Sequence, residues 1–408
     1  MEVTMAQAES APVCSFTEVE ALAFDPQLRE LMERPGGGAL ARIRMAYGEG
    51  EAWLATRYED VRLVTSDRRF SRGALVGRDF PRMTPAPIVQ DESINLMDPP
   101  EHARLRRLVA QAFTGKHVET LRPRTRRVVD GLLEAMARQG PPADVVAGLA
   151  AELPLTTICD LLDIPDEDRA ELRGNAVALM VTGKADHEAQ LRAKSALRGY
   201  FQDVCARRRR APGNDLISEL ARARVDGEEL ADDELAVMAM VLLLTGHDTT
   251  TNQISNITYT LLTHPAHLTA LRKDPERLPR ALQELLRHIP FRKGVGIPRV
   301  ATEDVEVGGV LVRAGEVVHV SYLAANRDPD TYEQPDELDL DRQGQPHMTF
   351  GWGQHHCIGS HLAMMELEVA IGSLLTRFPG LRLGVPAEDI RWNTSSIWRY
   401  PLALPVAW

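Results

Sequence analysis

FGWGQHHCIGSHLA, residues 350–363, sets three glycines and one cysteine around two adjacent histidines, between an apparent loop and an apolar helical pattern. The run HLAMMELEVAIGSLLTRFP, residues 361–379, has the periodicity of a helix. Cys357 therefore falls at a helix N-terminus, where amide dipoles are expected to lower a thiol pKa and favour the thiolate. Three chemistries compete for such a cysteine: a zinc site, a catalytic nucleophile, or a single thiolate held against something large and flat.

Composition bounds the choice. The chain has 408 residues, 44% hydrophobic and 26% charged, as expected of a soluble globular protein with room for a substantial core. Its net charge of −11 argues against a nucleic-acid partner. The start, MEVTMAQAESAPVCSF, has no basic segment followed by an apolar one, and no run approaches the roughly 20 apolar residues of a membrane span. These features predict a cytoplasmic protein without membrane contact. Cys14, Cys159, Cys205 and Cys357 are widely spaced with no CxxC pair, which is neither a disulfide framework nor a standard structural zinc spacing.

Outward from the cysteine loop, the chain reads as mainly helical. Helices are expected over 99–113, 122–139, 155–173, 185–209 and 214–223, and residues 52–67 read as a strand followed by a short helix. Residues 71–95, rich in Gly, Pro and polar residues, form a long loop of the kind used to bind substrate. Residues 296–328 alternate apolar and polar with turns at Gly308-Gly309 and Ala314-Gly315, a set of short strands.

The longest helical candidate, residues 231–265, opens with Asp232, Asp233 and Glu234 at its positive dipole end and stops at Pro265. Its first half is apolar all round, the mark of a buried helix. In its middle, TGHDTT (245–250) breaks local rules: Gly246 costs about 1 kcal/mol against Ala, and Asp248 places a carboxylate where desolvation is expensive. Thr245 and Thr249, at i and i+4, share a face and can bond back to the preceding turn. Rule-breaking in a central helix marks a candidate site. Glu284 and Arg287, at i and i+3, are placed to meet on one helix face.

The cysteine loop can now be weighed. One cysteine beside two histidines falls short of a Cys2His2 zinc set, and three glycines are a loose support for a nucleophile's base and oxyanion donors. Gly351, Gly353 and Gly359 instead clear one side of the loop, so that it can lie flat against a planar cofactor. A heme iron with one thiolate ligand fits that geometry.

At this point the sequence closely resembles the cytochrome P450 family, in particular the bacterial monooxygenases of actinomycete secondary metabolism, over essentially its whole length. The pattern F-G-x-G-x-H-x-C-x-G is matched by Phe350, Gly351, Gly353, His355, Cys357 and Gly359. The central-helix motif is matched by Gly246, Asp248 and Thr249, with Thr245 where alanine or glycine is more usual, and the E-x-x-R pair by Glu284 and Arg287. The resemblance implies a single mainly α domain over 1–408 with small β-sheets, β-rich near 30–70 and 295–325. Heme b would lie between the long central helix and the cysteine-loop helix. It further implies Cys357 as iron ligand, Phe350 beside the sulfur, and His102, Arg106, Arg299 and His355 at the heme carboxylates. Gly351, Gly359, Thr245 and Gly246 would border the heme, Asp248 and Thr249 would relay protons for O2 activation, and Glu284 and Arg287 would be structural.

Two positions depart from the family pattern. PDEL (335–338) puts Glu337 where an arginine often completes the Glu-Arg network, with Arg342 as substitute, and Met364 stands where an arginine often faces the electron donor. Substrate would be a bulky apolar small molecule, first of all a polyketide or macrolide-type intermediate of antibiotic biosynthesis, then a terpenoid or steroid. Candidate pocket residues are Met83, Ile88, Val89, Leu243, Leu244, Val295, Ile297 and Ile397, with Trp398 and residues 170–182 nearby. Electrons would come from a separate ferredoxin and its reductase, to a monomeric enzyme. A peroxide-using or rearranging enzyme and a non-catalytic heme sensor are the alternatives. Retention of Asp248 and Thr249 favours the monooxygenase.

Overall fold

The structure is a computed structural model. It describes residues 11–408 except 15, 17–18, 35–39, 90–91, 181, 183–186 and 226–227.

The central helix runs Asp232–Thr263, and buried residues occur on all its faces, as the all-round apolarity of its first half leads one to expect. The Glu234 carboxylate accepts from the Ala231 amide at 2.9 Å, satisfying one of the free donors at the helix start. Around it pack Glu152–Leu161, His187–Arg210 and the cysteine-loop helix Ser360–Arg377. The expected helix over 155–173 is two helices, Glu152–Leu161 and Asp166–Leu179. Between them Asp163 adopts φ 51° and Pro165 follows, a left-handed residue and a proline that together end the first helix. The helix expected from Arg122 begins earlier, at Gly115, where the Thr114 hydroxyl accepts from the His117 amide at 3.3 Å. Pro123 lies inside this helix. Its long packing face against Ser360–Arg377 overrides the local penalty.

The main sheet orders its six strands as Val13–Cys14, Leu40–Met45, Ala52–Ala55, Val317–Val320, Arg299–Ala301 and Phe70–Ser71. Gly308 and Gly309, at φ 55° and 81°, make the two-residue turn joining Val305–Val307 to Val310–Val312. A small sheet of Ala143–Asp144, Arg382–Leu383 and Pro405–Ala407 lies outside the segments read as β-rich.

Beneath the cysteine loop, Glu284 and Arg287 of helix Leu278–His288 are buried and paired through two bonds of 2.7 and 2.8 Å. Arg287 also donates to the carbonyls of Asn326, Pro335 and Glu337. Arg342 completes the network, its Nε donating to Glu284 at 3.0 Å, while Glu337 offers only its backbone carbonyl. Asn326 accepts from the Met348 amide at 2.6 Å, and Thr349 donates to the Leu286 carbonyl at 2.7 Å. The network thus fixes the segment that leads into the cysteine loop.

Candidate active site

Two loop glycines adopt left-handed backbone, Gly351 at φ 74° and Gly353 at φ 70°. A Cβ on Gly353 would stand 2.2 Å from the Thr65 carbonyl oxygen, so this glycine lets the loop pass against the backbone of helix Tyr58–Ser66. That corrects the expectation that all three glycines clear the cofactor side. Gly351 does border the main cavity, and Gly359 borders a smaller adjoining one and precedes the helix Ser360–Arg377. The Cys357 amide donates to the Phe350 carbonyl at 2.8 Å, closing the loop. The Cys357 thiol has free surface, but only toward the two cavities, and protein encloses it otherwise. Burial pushes its pKa up, against the downward pull of the Gly359 amide and Arg106. The expected downward pull of a helix amide is present, that of Gly359, and burial acts against it.

Across the cavity stands the central helix. Thr245 donates to the Val241 carbonyl at 2.8 Å and Thr249 to the Thr245 carbonyl at 2.9 Å, the back-bonding expected of this pair. Both line the main cavity, and so does Thr250. One residue turns only about 100° round a helix, which leaves Thr250 on the edge of a broad cavity face. Asp248 lies elsewhere. It borders a small pocket of about 60 Å³ with His247, Arg173 and Tyr400 and does not line the main cavity, so Asp248 and Thr249, expected to relay protons together, face different pockets. His247 Nδ1 stands 2.9 Å from the Asp248 carboxylate but off the line of a hydrogen bond. Gly246 borders the smaller cavity, and a Cβ there would meet Ile158 at 3.1 Å, so the glycine also admits a close helix contact.

The expected heme-carboxylate group is brought together. The His102 and His355 rings lie 4.2 Å apart, and Arg106 donates to the His356 carbonyl at 2.6 Å. Burial, then Arg106 and Arg72, lowers the His102 pKa to about 4, and burial with the neighbouring arginines drives His355 further down. Burial and the surrounding arginines thus hold both imidazoles toward the neutral form. Sequence reasoning missed Arg72, which is buried, donates to the Asn95 carbonyl at 3.0 Å, and has its pKa lowered to about 9 by burial and Arg299. Arg299 Nη2 and His355 Nε2 are buried without hydrogen-bond partners. A thiol on one side, a threonine-bearing helix on the other, and orphaned donors among arginines form a set that fits a heme and its two carboxylates.

The main cavity has a volume of about 530 Å³. Of the expected pocket residues, Met83, Ile88, Val89, Leu244, Val295, Ile297 and Ile397 line it, and Met180 and Trp398 join them. Leu243 does not. It is buried in the helical core, because the cavity face passes through Leu244 and leaves its predecessor turned inward. Nor is the cavity wholly apolar: Arg72, Arg78, Arg82 and Arg292 border it, with no carboxylate among the described residues. Arg292 also escaped the sequence reading, since nothing in IPFRKG distinguishes a cavity arginine from a surface one.

A thiol loop and a threonine-bearing central helix facing each other over a cation-edged cavity define a heme-thiolate oxygenase. The chain belongs to the cytochrome P450 family: the model of that family, described as Cytochrome P450, matches residues 179–381. Nocardicin C N-oxygenase of Nocardia uniformis subsp. tsuyamanensis is 48% identical over 90% of this chain and 92% of its own length. Mycinamicin IV hydroxylase/epoxidase of Micromonospora griseorubida is 43% identical over 96% of this chain and 98% of its own. The crystal structure of cytochrome P450mel 107F1, with biaryl coupling reactivity, superposes with a TM-score of 0.95 at 65% identity, covering 98% of this chain and 100% of that one. The mainly α fold with small sheets and the monooxygenase class read from the sequence are those of these relatives. The family implies heme iron, a cysteine thiolate ligand and use of O2. Among the described residues no helix is long and apolar enough to cross a membrane.

Proposed function

We propose that this chain, as a single domain, is a monooxygenase of natural-product biosynthesis that binds heme b through Cys357 and takes electrons from a separate ferredoxin and its reductase. The observation that carries the reading is the placement of Cys357, Thr249 and the orphaned Nε2 of His355 on the same cavity, with the orphaned Nη2 of Arg299 in the charge environment of His355. Heme iron held by a thiolate supplies the activation of dioxygen and the insertion of oxygen into substrate. Arg72, Arg106 and Arg299 offset the charge of the heme carboxylates, and His102 and His355 donate hydrogen bonds. Thr249 holds and hands over a proton at its hydroxyl. Asp248 feeds that step from the small neighbouring pocket, through water.

For substrate, the relatives acting on nocardicin C and mycinamicin IV support a bulky natural product, polyketide-derived in the first instance. A second reading, an aromatic polyketide undergoing coupling, is favoured by the likeness to P450mel and by the arginines on the cavity wall.

The reduced carbon-monoxide complex tests the assignment of Cys357. It should absorb at the red-shifted position of a thiolate-ligated heme, and Cys357→His should move the band to the position of histidine-ligated hemes. A band that stays in place in the variant removes the assignment.

A further inference from the structure

Arg292 follows helix Leu278–His288 and stands on the main cavity but not on the smaller one that holds His102 and Arg106. Its backbone bridges to Trp398, whose ring stacks on Phe291 at 5.5 Å and 9°, and its guanidinium carbon lies 5.4 Å from the Trp398 ring. The Nε is buried without a partner, and among the described residues no hydrogen bond or ion pair reaches the guanidinium. The other cavity arginines are engaged: Arg72 with the Asn95 carbonyl, Arg78 with the Gly315 carbonyl, Arg82 with Asp79. Asp98, the carboxylate nearest Arg72, is already held by Ser71 and two backbone amides.

Charge balance makes Arg292 a surplus cation. Two heme carboxylates would be met by Arg72, Arg106 and Arg299, and among the described residues no acidic side chain borders the cavity to meet a further one. Burial lowers the Arg292 pKa only to about 10, so the group stays charged at neutral pH. A charge left unpaired at a partly buried site is costly unless a ligand supplies its counterpart. Burial raises the Tyr322 pKa, while Arg299, Arg72 and, last, Arg292 pull it down, which places the Tyr322 phenol in the field of the same cations.

We infer that Arg292, backed by the stacked rings of Phe291 and Trp398, binds the acidic hydroxyl of a planar polyhydroxylated aromatic substrate. The inference rests on the reading of this cavity as the substrate site of a heme-thiolate enzyme. A flat ring can lie along the aromatic wall while its oxygen meets the guanidinium, a combination that an aliphatic macrocycle does not use.

The test titrates purified holoenzyme, wild type, Arg292→Met and Arg292→Lys, with 1,8-dihydroxynaphthalene and with its dimethyl ether, by calorimetry and by the Soret shift. The diol should bind wild type more tightly than the ether. Arg292→Met should weaken the diol by about tenfold or more, the usual worth of a hydrogen bond to a charged group, and leave the ether within about twofold. Arg292→Lys should fall between. The inference is overturned if wild type does not prefer the diol, if Arg292→Met binds it as wild type does, or if both ligands weaken equally. Should Arg292→Met not accumulate folded, the same comparison in Arg292→Lys decides. Loss of heme from the Arg292 variants would assign the arginine to the heme carboxylates and also overturn the inference, with the family reading intact. A wild type without the thiolate carbon-monoxide band would sink the functional reading itself.

Discussion

Thr249 and Thr250 are neighbours on the cavity, yet their hydrogen bonding separates them. Thr249 donates to the Thr245 carbonyl, and the two hydroxyls stand one turn apart along the same face. Thr249→Ala removes a proton-handling hydroxyl while Cys357 and the arginines remain, so the substrate-induced spin shift should survive. Loss of one positioned proton-transfer group costs about 10² to 10⁴ in rate. The loss should read as reducing equivalents consumed with hydrogen peroxide released in place of product, measured as the ratio of product to cofactor oxidised. Thr250 cannot serve as the silent control, because it shares the cavity. Thr263, at the far end of the helix and bonded to the Tyr259 carbonyl, can: Thr263→Ala should stay coupled. A fully coupled Thr249→Ala would move the proton step to Thr245 or to a hydroxyl of the substrate.

Between elements, the close contact is that of Gly246 with Ile158, where the central helix meets Glu152–Leu161. An alanine at 246 gains about 1 kcal/mol of helix propensity but sets its Cβ 3.1 Å from the Ile158 side chain. Overpacking of this kind typically costs about 1–3 kcal/mol, so Gly246→Ala should lower stability on balance. Ile158→Val should recover part of the loss. A double-mutant cycle in denaturant unfolding should therefore give a favourable coupling of at least about 0.5 kcal/mol. Strict additivity would show that the contact relaxes freely and that the glycine serves the heme face alone.

Across the whole molecule, Glu284, Arg287 and Arg342 join a helix to the segment that delivers the cysteine loop. Removing one member of such a buried pair leaves the other charge uncompensated, at about 3–5 kcal/mol. Arg287→Leu should thus lower both the unfolding midpoint and heme retention. Arg342→Ala, which leaves the Glu284–Arg287 pair in place, should cost less. The pH dependence has a definite sign. Although burial raises the Glu284 pKa, Arg287 and the other donors bring it below the ordinary carboxyl value. Its contribution is therefore present above that ordinary value, about 4.5, and is lost as pH falls through the lower folded value. Glu284→Gln should flatten the acid limb of the stability curve. An unchanged acid limb would show that other carboxylates govern acid unfolding.

The sequence by itself carried whatever depends on short spacing. The glycine-cysteine loop before an apolar helix, the i, i+3 pairing of Glu284 with Arg287, and the acidic start of the central helix were all legible, because each is local chemistry repeated along the chain. Arg342 as substitute partner was legible too, since the gap at Glu337 left a charge to be met. Tertiary packing decided what depends on the rotation of a helix and on distant segments meeting. It turned Leu243 into the core and Asp248 to a separate pocket, and it left Thr250 on the cavity, within one helix buried on every side, where neither the apolar first half nor the polar stretch after it gave a phase to read. It also gathered Arg72 and Arg292, 220 positions apart, around one cavity. A buried unpaired arginine looks the same in sequence as a solvated one, and only the absence of a counter-charge around it, a property of the folded wall, shows the difference.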